Sequence, residues 1–194
     1  IIAHELLHRN VASGGGVGGV YPELSPLLIG GIMQQFHMLL PKEGTDAPFG
    51  AYIAIPEIAG YVPPTKTVKN LEIVNIDGVD FQFFTDYDVD ANDCLLVWLP
   101  KQKVILNNLL WGAMPNIYSL RGSNYRDPET IIKGLTKVRE LKPEFLLNTV
   151  AVPQSGEKEC REHVENTADF FMLVKDQTMR AMLLGNAPQD LGRF

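Results

Sequence analysis

The sequence predicts an α+β fold in which strands come first and helices follow. Apolar segments separated by short turns lie between residues 71 and 106. A helical pattern, a further strand and a long helical pattern then occupy residues 128–184. Strands joined by tight turns pair with each other, so the first group predicts an antiparallel meander. The whole order predicts a meander with flanking helices.

The N-terminal part of the chain has weaker signals. Residues 1–3 are typical of the end of a buried strand, and residues 4–12 of a short helix. A glycine-rich loop follows at residues 13–19, and residues 21–64 are rich in proline and glycine. A loop-rich stretch of this length usually covers a site or meets a partner.

The central segments have the strongest strand signals. Asp77-Gly78 is a two-residue hairpin signal between two apolar segments, because both residue types tolerate the positive φ that such a turn requires. The prolyl turn at residues 100–102 separates the next two segments. The predicted strands cover residues 71–76, 79–84, 94–99 and 104–106.

Two helices are predicted in the last third of the sequence. Residues 128–141 follow Asp127, an expected N-cap, and begin with proline, which the first helical turn tolerates. Residues 157–184 form a longer helix, with Gly185 placed as its C-terminal cap. The apolar residues 145–152 between the helices predict another buried strand.

The strand at residues 94–99 has almost no polar alternation. Such a pattern is typical of a strand that is covered on both faces. Helices account for one face of the sheet, so we expect another polypeptide to cover the other face. The chain by itself should then be oligomeric or poorly soluble, because apolar strand faces lack cover.

Composition excludes several classes of protein. The chain has 194 residues, of which 45% are hydrophobic and 21% charged, which suits one globular domain rather than a disordered segment. A net charge of -6 argues against nucleic-acid binding. Cys94 and Cys160 are far apart, which argues against a disulfide framework or a cysteine zinc site.

The sequence does not indicate the cellular compartment of the protein. No apolar run reaches the roughly 18 residues that a transmembrane helix needs, and no signal peptide is visible. We therefore expect a soluble chain without a membrane span, and its compartment stays open. The chain begins with Ile1, and its first methionine is Met33, so we expect a processed product or a piece of something longer.

One segment identifies a family. Residues 116–122, Asn-Ile-Tyr-Ser-Leu-Arg-Gly, followed by Arg126-Asp127, resemble the segment N-L-Y-T-L-R-G…R-D of the alkyl sulfatases, a branch of the metallo-β-lactamase fold. Further segments resemble the family in the same order: Ile1-Ile2-Ala3-His4-Glu5, Met38-Leu39-Leu40-Pro41, Ile76-Asp77-Gly78-Val79, Val97-Trp98-Leu99-Pro100 and Asp176-Gln177-Thr178-Met179-Arg180.

The resemblance implies a fold and a reaction. It implies that residues 1–185 are the C-terminal half of an αββα metallo-β-lactamase sandwich, and that residues 186–194 begin a following helical region or tail. Family members split sulfate esters with two zinc ions. The resemblance thus makes zinc the expected cofactor and a sulfate-like anion the expected ligand.

Zinc ligands are the point at which the sequence departs from the family. The family's H-x-H-x-D-H motif has no counterpart among the four histidines. Asp90 stands where the family has a metal-binding Glu, and aspartate is a chemically possible substitute. Asn107 or Asn108 stands in place of a second Glu, and Val150 or Ala151 in place of a late His. We therefore expect an impaired or absent zinc site in this chain.

The anion-binding side is retained. Arg121 resembles the family's sulfate-binding arginine, whose guanidinium fork can hold two oxyanion oxygens at once, and Asn116 resembles the neighbouring amide donor. Two structural alternatives stay open. Arg121 could form a salt bridge with Asp127 or with an acidic loop residue, and Asp90 could be a solvated loop carboxylate.

A competing motif lies at the N-terminus. His4-Glu5-Leu6-Leu7-His8 matches H-E-x-x-H, in which two histidines one helical turn apart share a zinc ion and the glutamate is the base. No third histidine follows at the spacing of the extended motif. A zinc metallopeptidase with His4 and His8 as ligands is therefore a minor alternative.

Two function hypotheses follow. In the first, the chain is part of a sulfatase-like hydrolase whose zinc ligands come largely from outside it. In the second, it is a metal-free pseudoenzyme that serves as a structural or binding subunit of a larger assembly. Whether this chain is itself an enzyme stays open.

Overall fold

A computed structural model describes residues 1–12, 30, 33–34, 37–47, 61–89, 91–111 and 126–193. The chain divides into two compact units. The first unit comprises Ile1–Thr67 and Ser119–Tyr125, and the second comprises Val68–Tyr118 and Arg126–Phe194.

The first unit contains a short helix and most of a small sheet, of which Val68 belongs to the second unit. Strand β1 (Ile2–His4) pairs with β2 (Lys66–Val68), and the Thr65 N–H donates to the Ile1 carbonyl at 2.9 Å. Helix α1 spans Leu7–Ala12. The helix expected over residues 4–12 thus begins three residues later, because His4 still belongs to the strand. Most of the proline-rich stretch lies outside the described residues.

The second unit is built on a six-stranded sheet with the order β3-β4-β5-β6-β7-β8. The first four strands form the antiparallel meander that the sequence predicts, β6 and β7 are parallel, and β7 and β8 are antiparallel. The strands are β3 (Ile73–Ile76), β4 (Val79–Phe84), β5 (Leu96–Leu99), β6 (Val104–Trp111), β7 (Phe145–Val150) and β8 (Gln154–Ser155).

The turn between β3 and β4 has the predicted chemistry. Asp77 and Gly78 both have positive φ, 49° and 84°, which is the conformation of the two-residue turn that matches strand twist. The Asn75 side chain supports the turn, since its Oδ1 accepts a hydrogen bond from the Gly78 N–H at 3.1 Å.

Helix α2 (Pro128–Leu141) connects the parallel strands β6 and β7. Asp127 is its N-cap, as expected: Oδ1 accepts from the Glu129 N–H at 3.0 Å and Oδ2 from the Thr130 hydroxyl at 3.1 Å. The helix ends at Lys142, whose φ of 51° is left-handed. A crossover helix of this kind is the usual connection between parallel strands.

Helix α3 (Glu157–Leu183) ends in a Schellman motif. Gly185 has a φ of 80°. Its N–H donates to the Met182 carbonyl at 2.9 Å, and the Asn186 N–H donates to the Ala181 carbonyl at 3.1 Å. These two bonds satisfy carbonyls that would otherwise lack a partner at the helix end, so the predicted cap is present. A 3-10 helix, Pro188–Arg193, follows.

Both long helices pack on one face of the large sheet. Trp98, Ile105 and Leu146 are register partners across β5, β6 and β7 and point into this layer. The helices contribute residues at helical spacing to the same cluster, so burial of one face stabilises sheet and helices together. The helical members of the core are Ile131, Leu135, Val138, Cys160, Val164, Ala168 and Phe171.

The opposite sheet face is apolar too. Val97, Leu106 and Leu147 are register partners, and they alternate with the core residues, so their side chains point away from the helices. Leu106, Phe145 and Leu147 remain 36%, 41% and 41% exposed. We call Val97, Val104, Leu106, Phe145 and Leu147 the open sheet face.

Candidate functional site

The carboxyl ends of β6 and β7 form the edge where a site is expected. These strands are parallel, so their carboxyl ends meet at the same side of the sheet, which is where open sheets of this kind bind ligands. Asn107, midway along β6, is the register partner of Asn148 in β7, and Thr149 follows.

Hydrogen bonds connect the side chains at this edge. The Asn107 Nδ2 donates to the Asn148 Oδ1 at 2.7 Å, and the Thr149 hydroxyl donates to the Asn107 carbonyl at 3.0 Å. The Asn148 Nδ2 in turn donates to the Val152 carbonyl at 3.1 Å. Asn107 is only 4% exposed, and buried amides that are hydrogen-bonded in this way hold a backbone edge in place.

Strand β6 is irregular next to this pair. The register runs from Asn107 opposite Asn148 to Trp111 opposite Val150, so it shifts between Asn107 and Trp111. Irregularities of this kind end regular pairing and often lie beside active sites. Asn108, a candidate counterpart of a family metal ligand, belongs to this irregular part of β6.

The segment that follows β6 in the sequence, residues 112–125, carries Asn116 and Arg121. Both predicted anion-binding residues lie outside the described part of the chain, as does Asp90. What the structure describes are the two flanking positions, Trp111 at the end of β6 and Arg126 before α2.

Arg126 is an unusual flanking residue because it is only 4% exposed. Burial lowers the pKa of its guanidinium, since desolvation disfavours the charged form. Asp127, a suggested salt-bridge partner of Arg121, uses both carboxylate oxygens to cap α2. Capping of α2 therefore explains the role of the Asp127 carboxylate without a salt bridge to Arg121.

His4 and His8 do not lie on one helix. His4 is the last residue of β1, and its Nδ1 accepts a hydrogen bond from the Leu6 N–H at 3.0 Å. His8 lies in α1, is exposed, and places its ring centroid 5.8 Å from that of Tyr61. The H-E-x-x-H motif needs both histidines on successive turns of one helix. The structure does not form this geometry.

Within the described ranges, no three His, Cys, Asp or Glu side chains come together as a metal site. Likewise, no helix in the described part of the chain is long and apolar enough to span a membrane. The edge of β6 and β7 thus provides amides and a hydroxyl, while the carboxylate of Asp90 lies outside the described residues.

Asn148 and Thr149 are the residues that sequence reasoning missed. The sequence pattern places them within an apolar strand over residues 145–152. Two consecutive polar residues at the end of an otherwise apolar strand were the available signal. Their importance depends on the parallel pairing with β6, which the sequence does not indicate.

Comparison with known proteins decides the family. A linear primary-alkylsulfatase from Pseudomonas sp. (strain ATCC 19151) is 29% identical over 133 residues, 68% of this chain and 25% of the relative. A second linear primary-alkylsulfatase, from Pseudomonas sp., is 30% identical over 151 residues, 73% of this chain and 22% of the relative. This chain belongs to the alkyl sulfatase family.

A third relative comes from a different organism. The alkyl/aryl-sulfatase BDS1 of Saccharomyces cerevisiae (strain ATCC 204508 / S288c) is 27% identical over 164 residues, 81% of this chain and 25% of the relative. The alkyl sulfatase-family chain thus spans about a quarter of the length of these curated relatives. No family model matches it.

Solved structures show the metallo-β-lactamase-like fold. A double mutant of the sec-alkyl sulfatase PisA1 superposes with a TM-score of 0.78 at 18% identity, over 98% of this chain and 30% of that one. The metallo-β-lactamase family protein TTHA1429 from Thermus thermophilus gives 0.52 at 14% identity, over 91% of this chain and 54% of that one. The predicted family and α+β fold class are both confirmed.

Proposed function

We propose that this chain is the sulfate-binding part of an alkyl sulfate ester hydrolase. The observation that carries the proposal is the edge formed by β6 and β7, since the segment with the family's anion-binding residues follows β6 in the chain. The names of the relatives, linear primary-alkylsulfatase and alkyl/aryl-sulfatase, support a sulfate ester as substrate.

Arg121 and Asn116 are the proposed sulfate ligands. A guanidinium can donate two parallel hydrogen bonds to a sulfate group, and an amide can donate a third. Asn116 follows Trp111 by five residues, and Arg121 precedes Arg126 by five.

Arg126 is buried and follows this segment directly in the sequence. A charge that is shielded from water acts on its neighbours more strongly than an exposed one, because the local dielectric is lower. We propose that Arg126 fixes the end of the sulfate-binding segment and adds positive potential to it. The amides of Asn107 and Asn148 hold the other end, because they fix the strand that precedes the segment.

Zinc does not fit the described residues as a complete site. Asn107 or Asn108 stands in the place of a family glutamate, and an amide is a poor zinc ligand. The Asn107 side chain donates to Asn148. We propose that any zinc is held largely by ligands from outside this chain, with Asp90 as a contributor. The chain's own part in the reaction is then to bind and orient the sulfate group.

The open sheet face supports a proposal about a covering partner. In PisA1 the matched region is 30% of the solved chain, so most of that protein lies outside the match. We propose that a further polypeptide layer covers Val97, Leu106 and Leu147 and supplies the zinc ligands. Covering apolar area of this kind stabilises by roughly 25 cal/mol per Å².

The sulfate-binding role is tested by thermal unfolding. Sodium sulfate should raise the melting temperature of the wild-type chain above its value in sodium chloride at equal ionic strength. Arg121→Ala should reduce this difference to the general stabilisation that sulfate gives as an excluded salt, whereas Arg180→Ala, an exposed arginine on α3, should keep it in full. An equal sulfate effect in wild type and Arg121→Ala contradicts the assignment.

Metal analysis separates the zinc proposal from its rival. The chain purified alone should hold much less than two zinc ions, and addition of the missing layer should restore both zinc and sulfate release from an alkyl sulfate. Two zinc ions bound by the isolated chain would show that its own ligands suffice. Restored assembly without zinc would instead identify a metal-free binding subunit.

A further inference from the structure

A cavity of about 180 Å³ lies between the end of α2 and the first turns of α3. Its floor is apolar and formed by Val138, Pro143, Cys160 and Val164, all of them buried. Burial raises the pKa of the Cys160 thiol, which agrees with a weakly solvated floor.

The rim of this cavity is positively charged. Arg139, Lys142 and Arg161 line it against a single carboxylate, Glu157. Arg161 Nε lies 3.9 Å from a carboxylate oxygen of Glu165 on the exposed helix surface. No ion pair among the described residues involves Arg139 or Lys142. Exposed pairs of this length contribute little, so the rim cations are available to an anion.

The cavity does not include the Asn107–Asn148 pair. Helix α3 starts beside the beginning of β7, since the Gly156 N–H donates to the Glu144 carbonyl at 2.8 Å. Asn107 and Asn148 lie farther along β6 and β7. Asn148 follows Phe145 by three residues along β7, a distance of roughly 10 Å at about 3.3 Å per residue.

We propose that this cavity binds a small amphiphilic anion, with an aliphatic chain of about six carbons on the floor and one anionic head group at the rim. The volume supports this size, because an apolar cavity of about 150 Å³ accommodates a benzene molecule. The head group meets three cations, of which the two arginines can each make bidentate bonds. This proposal does not depend on the proposed sulfate-binding function.

The test uses sodium hexanesulfonate, whose carbon–sulfur bond leaves no ester to hydrolyse. Methanesulfonate serves as the head-group probe and 1-hexanol as the chain probe. Calorimetric titration of the full chain should show binding that strengthens about two- to fourfold per methylene from methane- to hexanesulfonate. The gain should stop beyond six carbons, because the cavity is then filled.

Matched variants locate the site. Arg139→Gln with Arg161→Gln should weaken hexanesulfonate binding at least tenfold. Lys133→Gln with Lys158→Gln changes the same charge on the same two helices outside the cavity and should change binding less than twofold. All four side chains are exposed, so both double variants should fold, which circular dichroism checks.

Three results would overturn the proposal. Equal losses in the two double variants would show that net charge alone matters. Methanesulfonate or 1-hexanol binding as tightly as hexanesulfonate would show that the ligand class is wrong. Loss of hexanesulfonate binding in Arg121→Gln, with the cavity variants unaffected, would assign the binding to the sulfate site.

Discussion

Removing the Asn148 side chain tests whether the amide pair holds the edge of the site. In Asn148→Ala, the Asn107 Nδ2 loses the acceptor that lies 2.7 Å away. Asn107 is 4% exposed, so water replaces this acceptor poorly. A buried donor that loses its partner costs about 1–3 kcal/mol.

A second bond is lost in the same variant. The Asn148 Nδ2 no longer donates to the Val152 carbonyl, an exposed interaction worth about 0.5–1 kcal/mol. We therefore expect Asn148→Ala to lower the free energy of unfolding by about 2–3 kcal/mol in urea denaturation. It should also weaken the sulfate-induced stabilisation, because the sulfate-binding segment follows the strand that this edge holds.

Asn148→Asp is the matched control. Aspartate keeps an acceptor for Asn107 but cannot donate to Val152, so its cost should be well below that of the alanine variant. A loss under about 0.5 kcal/mol in Asn148→Ala, or equal losses in both variants, would refute the idea that the Asn107 contact fixes the edge.

Three further outcomes are expected. Asp127→Ala removes the N-cap of α2 and should lower the free energy of unfolding by about 1–2 kcal/mol in urea, while Asp127→Ser should restore most of it. The Asn75 hydrogen bond and the Lys101 charge lower the pKa of Asp80. The stabilisation that these contacts give is therefore present above the pKa that this carboxyl has in the unfolded chain. It is lost as the pH falls through the pKa of Asp80 in the folded protein. An NMR titration of Asp80 should show a lower pKa than in Asn75→Ala, and identical values would contradict this. Leu147→Ser should reduce self-association in sedimentation velocity without loss of the fold, because this leucine is 41% exposed on the open sheet face. Unchanged self-association would mean that this face is not the surface through which the chains associate.

Local signals in the sequence were reliable where one or two residues decide the conformation. Asp77 and Gly78 adopt the positive φ values that their hairpin requires. Asp127 caps α2 through its own side chain, and Gly185 closes α3. Each of these outcomes depends on the chemistry of residues that are neighbours along the chain, which the sequence displays directly.

Element boundaries depended on distant partners and were predicted less well. Strand β6 continues to Trp111 because it pairs with β7, whereas the sequence indicated an end at residue 106. The short strand β8 was missed, since only its antiparallel pairing with Phe145 and Leu146 defines it. The match of His4 to a helical zinc motif failed because His4 belongs to a strand that pairs with residues about sixty positions away.

The sequence by itself determined the family, the meander, the helix caps and the apolar character of both faces of the sheet, because all of these reside in local residue patterns. Only the tertiary structure decided that β6 and β7 run side by side in parallel. That pairing brings Asn107 and Asn148, forty-one residues apart, into hydrogen-bond contact. It likewise brings the ends of two helices together around a cationic cavity. Contacts of this kind depend on chain crossovers, which leave no periodic trace in the sequence.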